Sequence, residues 1–251
     1  MTATTTAADR SRWLSGRTWR NLFRDRPIIP LLGLLVVLVL IIQLARPGSV
    51  SPAWAGVIVR AAVPLAILAG CQTLAMLTGG IDLSVAAVAS MAGFVTATMV
   101  NSPGGVVQGI AIALTAAMLA GMVTGIGVGV FRVHPLIMTL GMSFVVLGLA
   151  NVWQIQVVQT GSGVPDSLRW IGVGFLGDIL PYSLLVFIPL AAIILLGLRR
   201  TGYGRLLYAI GDNPIAARLS GARSWQVLVA LYMISALFAG IAGLLLSLIH
   251  I

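Results

Sequence analysis

Long apolar runs separated by short polar segments make up most of this chain. A helix needs about 20 mostly apolar residues to cross a bilayer. Runs of this kind lie at about 28–45, 54–77, 83–101, 106–130, 136–158, 181–198 and 226–249. The pattern therefore predicts an all-α integral membrane protein, a polytopic bundle of about seven transmembrane helices.

The positions of the arginines indicate which segments face the cytoplasm. With the N-terminus inside, the cytoplasmic segments are 1–27, 78–82, 131–135 and 199–225, and these hold twelve of the fifteen Arg. Arg46, Arg60 and Arg169 fall on or near the other side. Because basic residues are enriched on cytoplasmic loops, we expect a cytoplasmic N-terminus and an external loop at 159–180.

Three regions follow from this pattern. Residues 1–27 form a basic cytoplasmic tail whose Trp13, Trp19 and Phe23 favour an interfacial helix on membrane lipid. Residues 28–245 form the transmembrane domain. For LSLIHI, residues 246–251, one allowed back-translation is CTGTCTCTTATACACATC, similar to a transposase end sequence used in DNA-library preparation. We expect a non-native tail there, with no role for His250; the alternative is an ordinary apolar helix end.

Composition excludes most enzyme classes. Only 8% of residues are charged, against about 25% in soluble domains. The chain has no Lys and no Glu, so a phosphate-binding P-loop, Schiff-base chemistry and a zincin site are excluded. A lone Cys71 and two His predict neither a disulfide nor a metal site. The net charge of +9 is explained by arginines on cytoplasmic loops. The sequence shows no pattern of alternating aromatic and basic residues that would indicate nucleic-acid binding.

Three segments within the bundle carry unusual residues. Small residues recur at every fourth position of the fourth run, on one helix face: Ala113, Ala117, Gly121, Gly125 and Gly129. They predict close helix packing, with a ligand channel as the alternative. The stretch LTGGIDLSVA predicts a tight turn in which Asp82 caps the next helix. Alternatively, Asp82 faces a polar pathway. In FRVHPLIMTLGM, Pro135 begins a helix and His134 is expected at the interface.

The segment 199–225 holds five Arg and predicts a short helix outside the membrane. Asn213 and Pro214 suit the N-cap and first position, and Gly221 suits the residue after the C-terminus. Residues 214–220 should therefore form a doubly capped helix, with Ala216 and Ala217 giving a low profile. Such a helix is suited to dock in a partner's groove; an inert interfacial helix is the alternative.

Three of these segments together resemble the permease subunits of ABC importers in the ribose/monosaccharide branch. The resemblance covers about residues 55–245 and rests on GRLLYAIGDNPIAARLSGARSWQVLVALYMISALFAGIAGLL, LTGGIDLSVAAVASMAG and HPLIMTLGM. It implies a multi-pass protein of the bacterial cytoplasmic membrane that imports a ribose-like sugar. Because such permeases ordinarily continue through further transmembrane helices, it also implies that the domain at 28–245 is incomplete. It also implies an ABC ATPase that binds the ATP, a periplasmic or lipid-anchored sugar-binding protein, and a second permease copy. Ala86, Leu136, Asp212 and Ala222 depart from the family's usual residues, which leaves the subgroup open.

The resemblance also implies roles for individual residues. Those implied in coupling to the ATPase are Tyr208, Gly211, Asp212, Asn213, Pro214, Ala216, Ala217, Arg218, Ser220 and Gly221. Those implied in the core of the translocation path are Gly79, Gly80, Asp82, Ser84, Thr139 and Gly141. Competing interpretations are a permease for branched-chain amino acids or nucleosides and an ion-coupled carrier. A carrier would need mid-membrane acids or His, for which Asp82 is the one candidate.

Overall fold

The computed structural model describes residues 26, 28–99, 101, 105–157, 166–177 and 179–250. The predicted interfacial helix of the tail lies outside these residues. Ten helices and one antiparallel ribbon occur in the described part: α1 Ile28–Ala45, α2 Pro52–Met76, α3 Val85–Thr98, α4 Gly105–Gly129, α5 Pro135–Val157, α6 Asp166–Val173, β1 Phe175–Leu176, β2 Leu180–Pro181, α7 Leu184–Arg200, α8 Gly202–Asp212, α9 Pro214–Leu219 and α10 Ser224–His250.

Five helices are long and apolar enough to cross a membrane, namely α1, α2, α4, α5 and α10. A sixth crossing results if α7 and α8, which meet at an angle of 72°, form one bent span. The prediction of an all-α polytopic membrane protein is confirmed. The run at 83–101 forms α3, whose 14 residues extend about 21 Å, less than the bilayer core of about 30 Å.

The chain forms two compact units: the first ends at Ala55, and the second begins at Gly56. In the first unit, α1 is apolar all round and none of its residues is buried. The backbone N–H of Val50 donates to the Gln43 Oε1 at 3.2 Å, which satisfies a donor of the segment after α1. The second unit contains the predicted motifs and is described below.

The core of the second unit forms around α10, which packs along α4 and α3. α3 is the central helix, because most of its side chains are buried and it also contacts α5. Gly93 and Gly243 lie at the crossing of α3 and α10, where a Cβ on Gly93 would be 2.7 Å from the Gly243 carbonyl oxygen. Small residues therefore let these two helices approach at the backbone.

The stripe of small residues on α4 faces α10. Ala113 and Ala117 are fully buried. A Cβ on Gly125 would be 2.6 Å from the Val229 Cα, and one on Gly129 would be 3.0 Å from the Trp225 carbonyl oxygen. These residues of the stripe therefore lie at the contact between α4 and α10.

Three described elements, namely α6, the ribbon and α8, lie where the sequence pattern predicts no regular structure. α6 and the ribbon lie in the predicted external loop at 159–180, and Arg60 reaches them from α2. Its guanidinium donates to the Val173 carbonyl at 3.2 Å and lies 5.2 Å from the centre of the Phe175 ring. α8 occupies the first half of the segment 199–225. It bends sharply from α7 at Thr201, whose backbone is extended, and Gly204 leaves room for the backbone of Leu198.

Candidate functional site

The segment after α8 forms a short helix with a cap at each end. The Asn213 Oδ1 accepts from the backbone N–H groups of Ile215 and Ala216 at 3.1 and 3.0 Å. Beyond the other end, Gly221 has φ +84°, which glycine adopts without strain. The N–H of Gly221 donates to the Arg218 carbonyl and that of Ala222 to the Ala217 carbonyl. This is the Schellman arrangement, so α9 begins and ends through local chemistry.

Almost the whole surface of α9 is open. Ala217 is its one buried residue, while Ile215 and Leu219 are 64% and 85% exposed. These two apolar side chains are four residues apart and share a helix face. A groove of about 660 Å³ runs beside them and is lined by Asp212, Asn213, Ala216, Ser220 and Gly221, among others. This apolar pair is not among the residues predicted from the sequence, although its i, i+4 spacing is visible there.

α8 attaches this exposed helix to the bundle. The Tyr203 hydroxyl donates to the Val227 carbonyl of α10 at 3.1 Å, and Leu207 and Ile210 are buried in a cluster with Leu74. Tyr208 lies on the other face and is half-exposed. At the end of α8, Gly211 packs directly against the Leu77 carbonyl oxygen, leaving no space for a Cβ.

Leu77 opens the turn that the LTGGIDLS motif forms. The N–H of Gly80 donates to the Ala75 carbonyl and that of Gly79 to the Met76 carbonyl, and Gly79 has φ +75°. This turn is therefore a second Schellman motif, which ends α2. A Cβ on Gly80 would be 3.2 Å from both the Pro135 Cβ and the Tyr232 Oη, so the turn lies between α5 and α10.

The rest of the motif enters the protein interior. Asp82 is 6% exposed, and its carboxylate accepts from the Ser84 N–H at 2.9 Å and from the Ser84 hydroxyl at 2.6 Å. The buried Thr139 hydroxyl accepts from the Leu83 N–H at 3.0 Å and donates to the Ile81 carbonyl at 3.2 Å. Asp82 therefore bonds to Ser84, the N-cap residue of α3, and does not itself cap the N–H groups of that helix as the motif predicts. Thr139 holds the turn against α5.

Two hydroxyls of α10 complete the buried polar group. Ser235 lies beside the Asp82 carboxylate, yet among the residues that the structure describes neither its Oγ nor the Tyr232 Oη has a hydrogen-bond partner of normal geometry. Sequence reasoning missed both, because each lies in an unbroken apolar run. Gly141 is not part of this group, since it is exposed on α5 with no atom within 4 Å of its Cβ position.

Comparisons with known proteins agree on one family. Its sequence model, described as branched-chain amino acid transport system / permease component, matches residues 55–250. The galactofuranose transporter permease protein YtfT of Escherichia coli (strain K12) is 33% identical over 76% of this chain and 55% of its own length. The ribose import permease protein RbsC of the same organism is 35% identical over 72% and 56%.

A relative from Bacillus subtilis (strain 168), also a ribose import permease protein RbsC, is 31% identical over 87% of this chain and 67% of its own length. The chain thus spans little more than half the length of the two Escherichia coli relatives. No solved structure matches the chain.

Proposed function

The chain belongs to the family of branched-chain amino acid transport system permease components, and we propose that it is the translocation subunit of an ATP-driven importer for a monosaccharide. The relatives named for galactofuranose and ribose support a sugar as the substrate. In this proposal the chain performs no catalysis itself, and a separate ABC ATPase subunit binds and hydrolyses ATP. The membrane is the bacterial cytoplasmic membrane, with α9 on its inner side.

One observation carries this proposal: an exposed, doubly capped helix is joined through a backbone contact to a buried polar turn. α9 would dock in a groove of the ATPase through Ile215 and Leu219, which are otherwise exposed apolar side chains. The helix needs no partner to form, because its own caps define both ends. A pre-formed docking element loses little conformational entropy on binding.

The contact between Gly211 and Leu77 provides the transmission step. When the ATPase moves α9, α8 would move with it, and the Leu77 carbonyl would displace the turn at 78–84. That turn contacts α5 through Thr139 and α10 through Gly80. A displacement would therefore reach both of these helices and change access to the path. A sugar-binding protein on the outer face and a second permease copy complete the proposed assembly.

Retention of an ATPase on membranes tests this proposal. Membranes containing the full chain would be mixed with each purified ABC ATPase from the same genome, and the bound ATPase measured after washing. We expect one of them to be retained, and Leu219→Arg to abolish its retention without reducing the amount of chain inserted. The control is Leu176→Arg, which changes an exposed leucine of the ribbon, 63% exposed against 85% for Leu219. Equal loss with Leu219→Arg and Leu176→Arg contradicts the docking role of α9.

A further inference from the structure

A basic groove lies beside α9 and is lined by Pro214 and Arg218 of that helix. Its volume is about 490 Å³, and its lining includes Arg132, His134, Arg218, Arg223, Ser224 and Trp225. Three of its lining residues are arginines and none is an acid. Three arginines around one concave space repel one another, so the groove favours an anion.

Three details indicate a built site. Arg132 has φ +56°, an uncommon backbone conformation for a side chain of this size. The Ser224 Oγ is buried at the groove and has no hydrogen-bond partner among the described residues. Arg218 is held in place, since its Nε donates to the Pro214 carbonyl at 3.1 Å. The groove therefore combines an orientation-fixed guanidinium with an unpaired hydroxyl donor.

An apolar groove adjoins the basic one. Its volume is about 300 Å³, and all of its lining residues are apolar or glycine: Val123, Ile126, Gly127, Phe131, Val133 and Met138. Val133 lines both grooves, and its N–H donates to the Gly127 carbonyl at 3.0 Å, which fixes the junction. The apolar groove runs along α4 and α5, two of the membrane-spanning helices.

We propose that the two grooves together bind one anionic phospholipid, with its phosphate among Arg132, Arg218 and Arg223 and an acyl chain along α4 and α5. The apolar groove favours a lipid over free phosphate, which would leave it empty. It also favours a lipid over an acidic protein surface, whose charged side chains would be desolvated there without a partner. Trp225 at the rim, 47% exposed, suits the headgroup level of a bilayer.

Native mass spectrometry of the full chain would test this, by counting phosphatidylglycerol retained after detergent exchange, with phosphatidylcholine and inorganic phosphate as comparison ligands. We expect preferential retention of phosphatidylglycerol. Arg132→Asn tolerates the backbone conformation, and Arg223→Gln removes a second charge. Each should lower the affinity for phosphatidylglycerol about five-fold, since one arginine near an anionic lipid contributes about 1 kcal/mol. Arg199→Gln and Arg200→Gln remove two exposed arginines outside the groove and should have no effect.

A second pair of variants keeps all charges. Val123→Trp fills the apolar groove and should lower retention as well, whereas Val145→Trp, at a similarly exposed position of α5, should not. If the arginine variants do not fold, this pair alone tests whether the apolar groove contributes to lipid binding. Equal retention in both members of the pair overturns the proposal, as does equal binding of inorganic phosphate alone. Loss of ATPase retention in Arg132→Asn with unchanged lipid binding also overturns it, in favour of an acidic protein surface.

Discussion

Gly211 at the end of α8 lies against the carbonyl oxygen of Leu77, at the beginning of the LTGGIDLS turn. This contact joins two motifs that are far apart in the sequence. Both contacting groups belong to the backbone, and they can lie this close because residue 211 has no side chain. Movement of α8 toward the turn is therefore transmitted without the slack of a flexible side chain.

Gly211→Ala tests this relationship. The added Cβ would collide with the Leu77 carbonyl oxygen, and α8 must shift away from the turn. Forcing extra volume into a packed contact costs about 1–3 kcal/mol. We expect a lower midpoint of thermal unfolding in detergent, together with reduced ATP-dependent transport in the assembled importer. The loss of transport should exceed the loss of folded protein.

Gly197→Ala is the matched control for that change. Gly197 lies within α7, next to α8, and no atom lies within 4 Å of its Cβ position. Because alanine is a better helix former than glycine by up to about 1 kcal/mol, its unfolding midpoint should stay level or rise. The transmission role of Gly211 is rejected if both variants unfold and transport alike.

A second prediction concerns the hydroxyl of Thr139. Thr139→Val removes the acceptor for the Leu83 N–H, and a buried unpaired donor costs about 1–3 kcal/mol. Thr139→Ser keeps the hydroxyl and should recover most of the lost stability. Thermal unfolding in detergent would measure both variants. A valine variant as stable as the serine variant would mean that the turn does not depend on this hydrogen bond.

Local and long-range features differ in how well the sequence predicts them. The caps of α9 and the Schellman motif at Gly79 are formed by residues a few positions apart, so each can be recognised from its own stretch of sequence. α8 was not predicted, because Gly202, Gly204 and Gly211 lower its intrinsic helix propensity. Burial of Leu207 and Ile210 against other helices stabilises it instead, and that burial depends on tertiary structure.

The buried polar group illustrates the same limit. Asp82 was predicted as a cap or a pathway residue from the motif alone, and its bonds to Ser84 are local. Its neighbour Ser235 comes from α10, where one serine in a long apolar run gives no signal of its partner. Small residues such as Gly93 and Gly243 allow two particular helices to pack closely. The sequence of one helix does not show which glycine of another helix it contacts.

The contact of α4 with α10 gives a third prediction. In Gly125→Ala the Cβ would be 2.6 Å from the Val229 Cα, which is backbone and cannot rotate away. The two helices must separate, so we expect a loss of about 1–3 kcal/mol of unfolding free energy. Gly148→Ala on α5, with no atom within 4 Å, should not destabilise. Chemical unfolding in mixed micelles would compare them, and equal unfolding curves would mean that α4 has space to adjust.

The last prediction separates the formation of α9 from its docking. Asn213→Ala removes the acceptor for the N–H groups of Ile215 and Ala216, and loss of such a cap costs about 1 kcal/mol. A helix of six residues has little else to hold it, because short helices are marginal without tertiary packing. Hydrogen exchange at residues 215–219 should therefore accelerate about five-fold, the factor that 1 kcal/mol represents.

ATPase retention should weaken by a similar factor, since the helix must then be ordered on binding. Asn213→Ser restores an acceptor and should recover both properties. If exchange accelerates while ATPase retention is unchanged, α9 folds as described but does not dock, and the proposed coupling role fails.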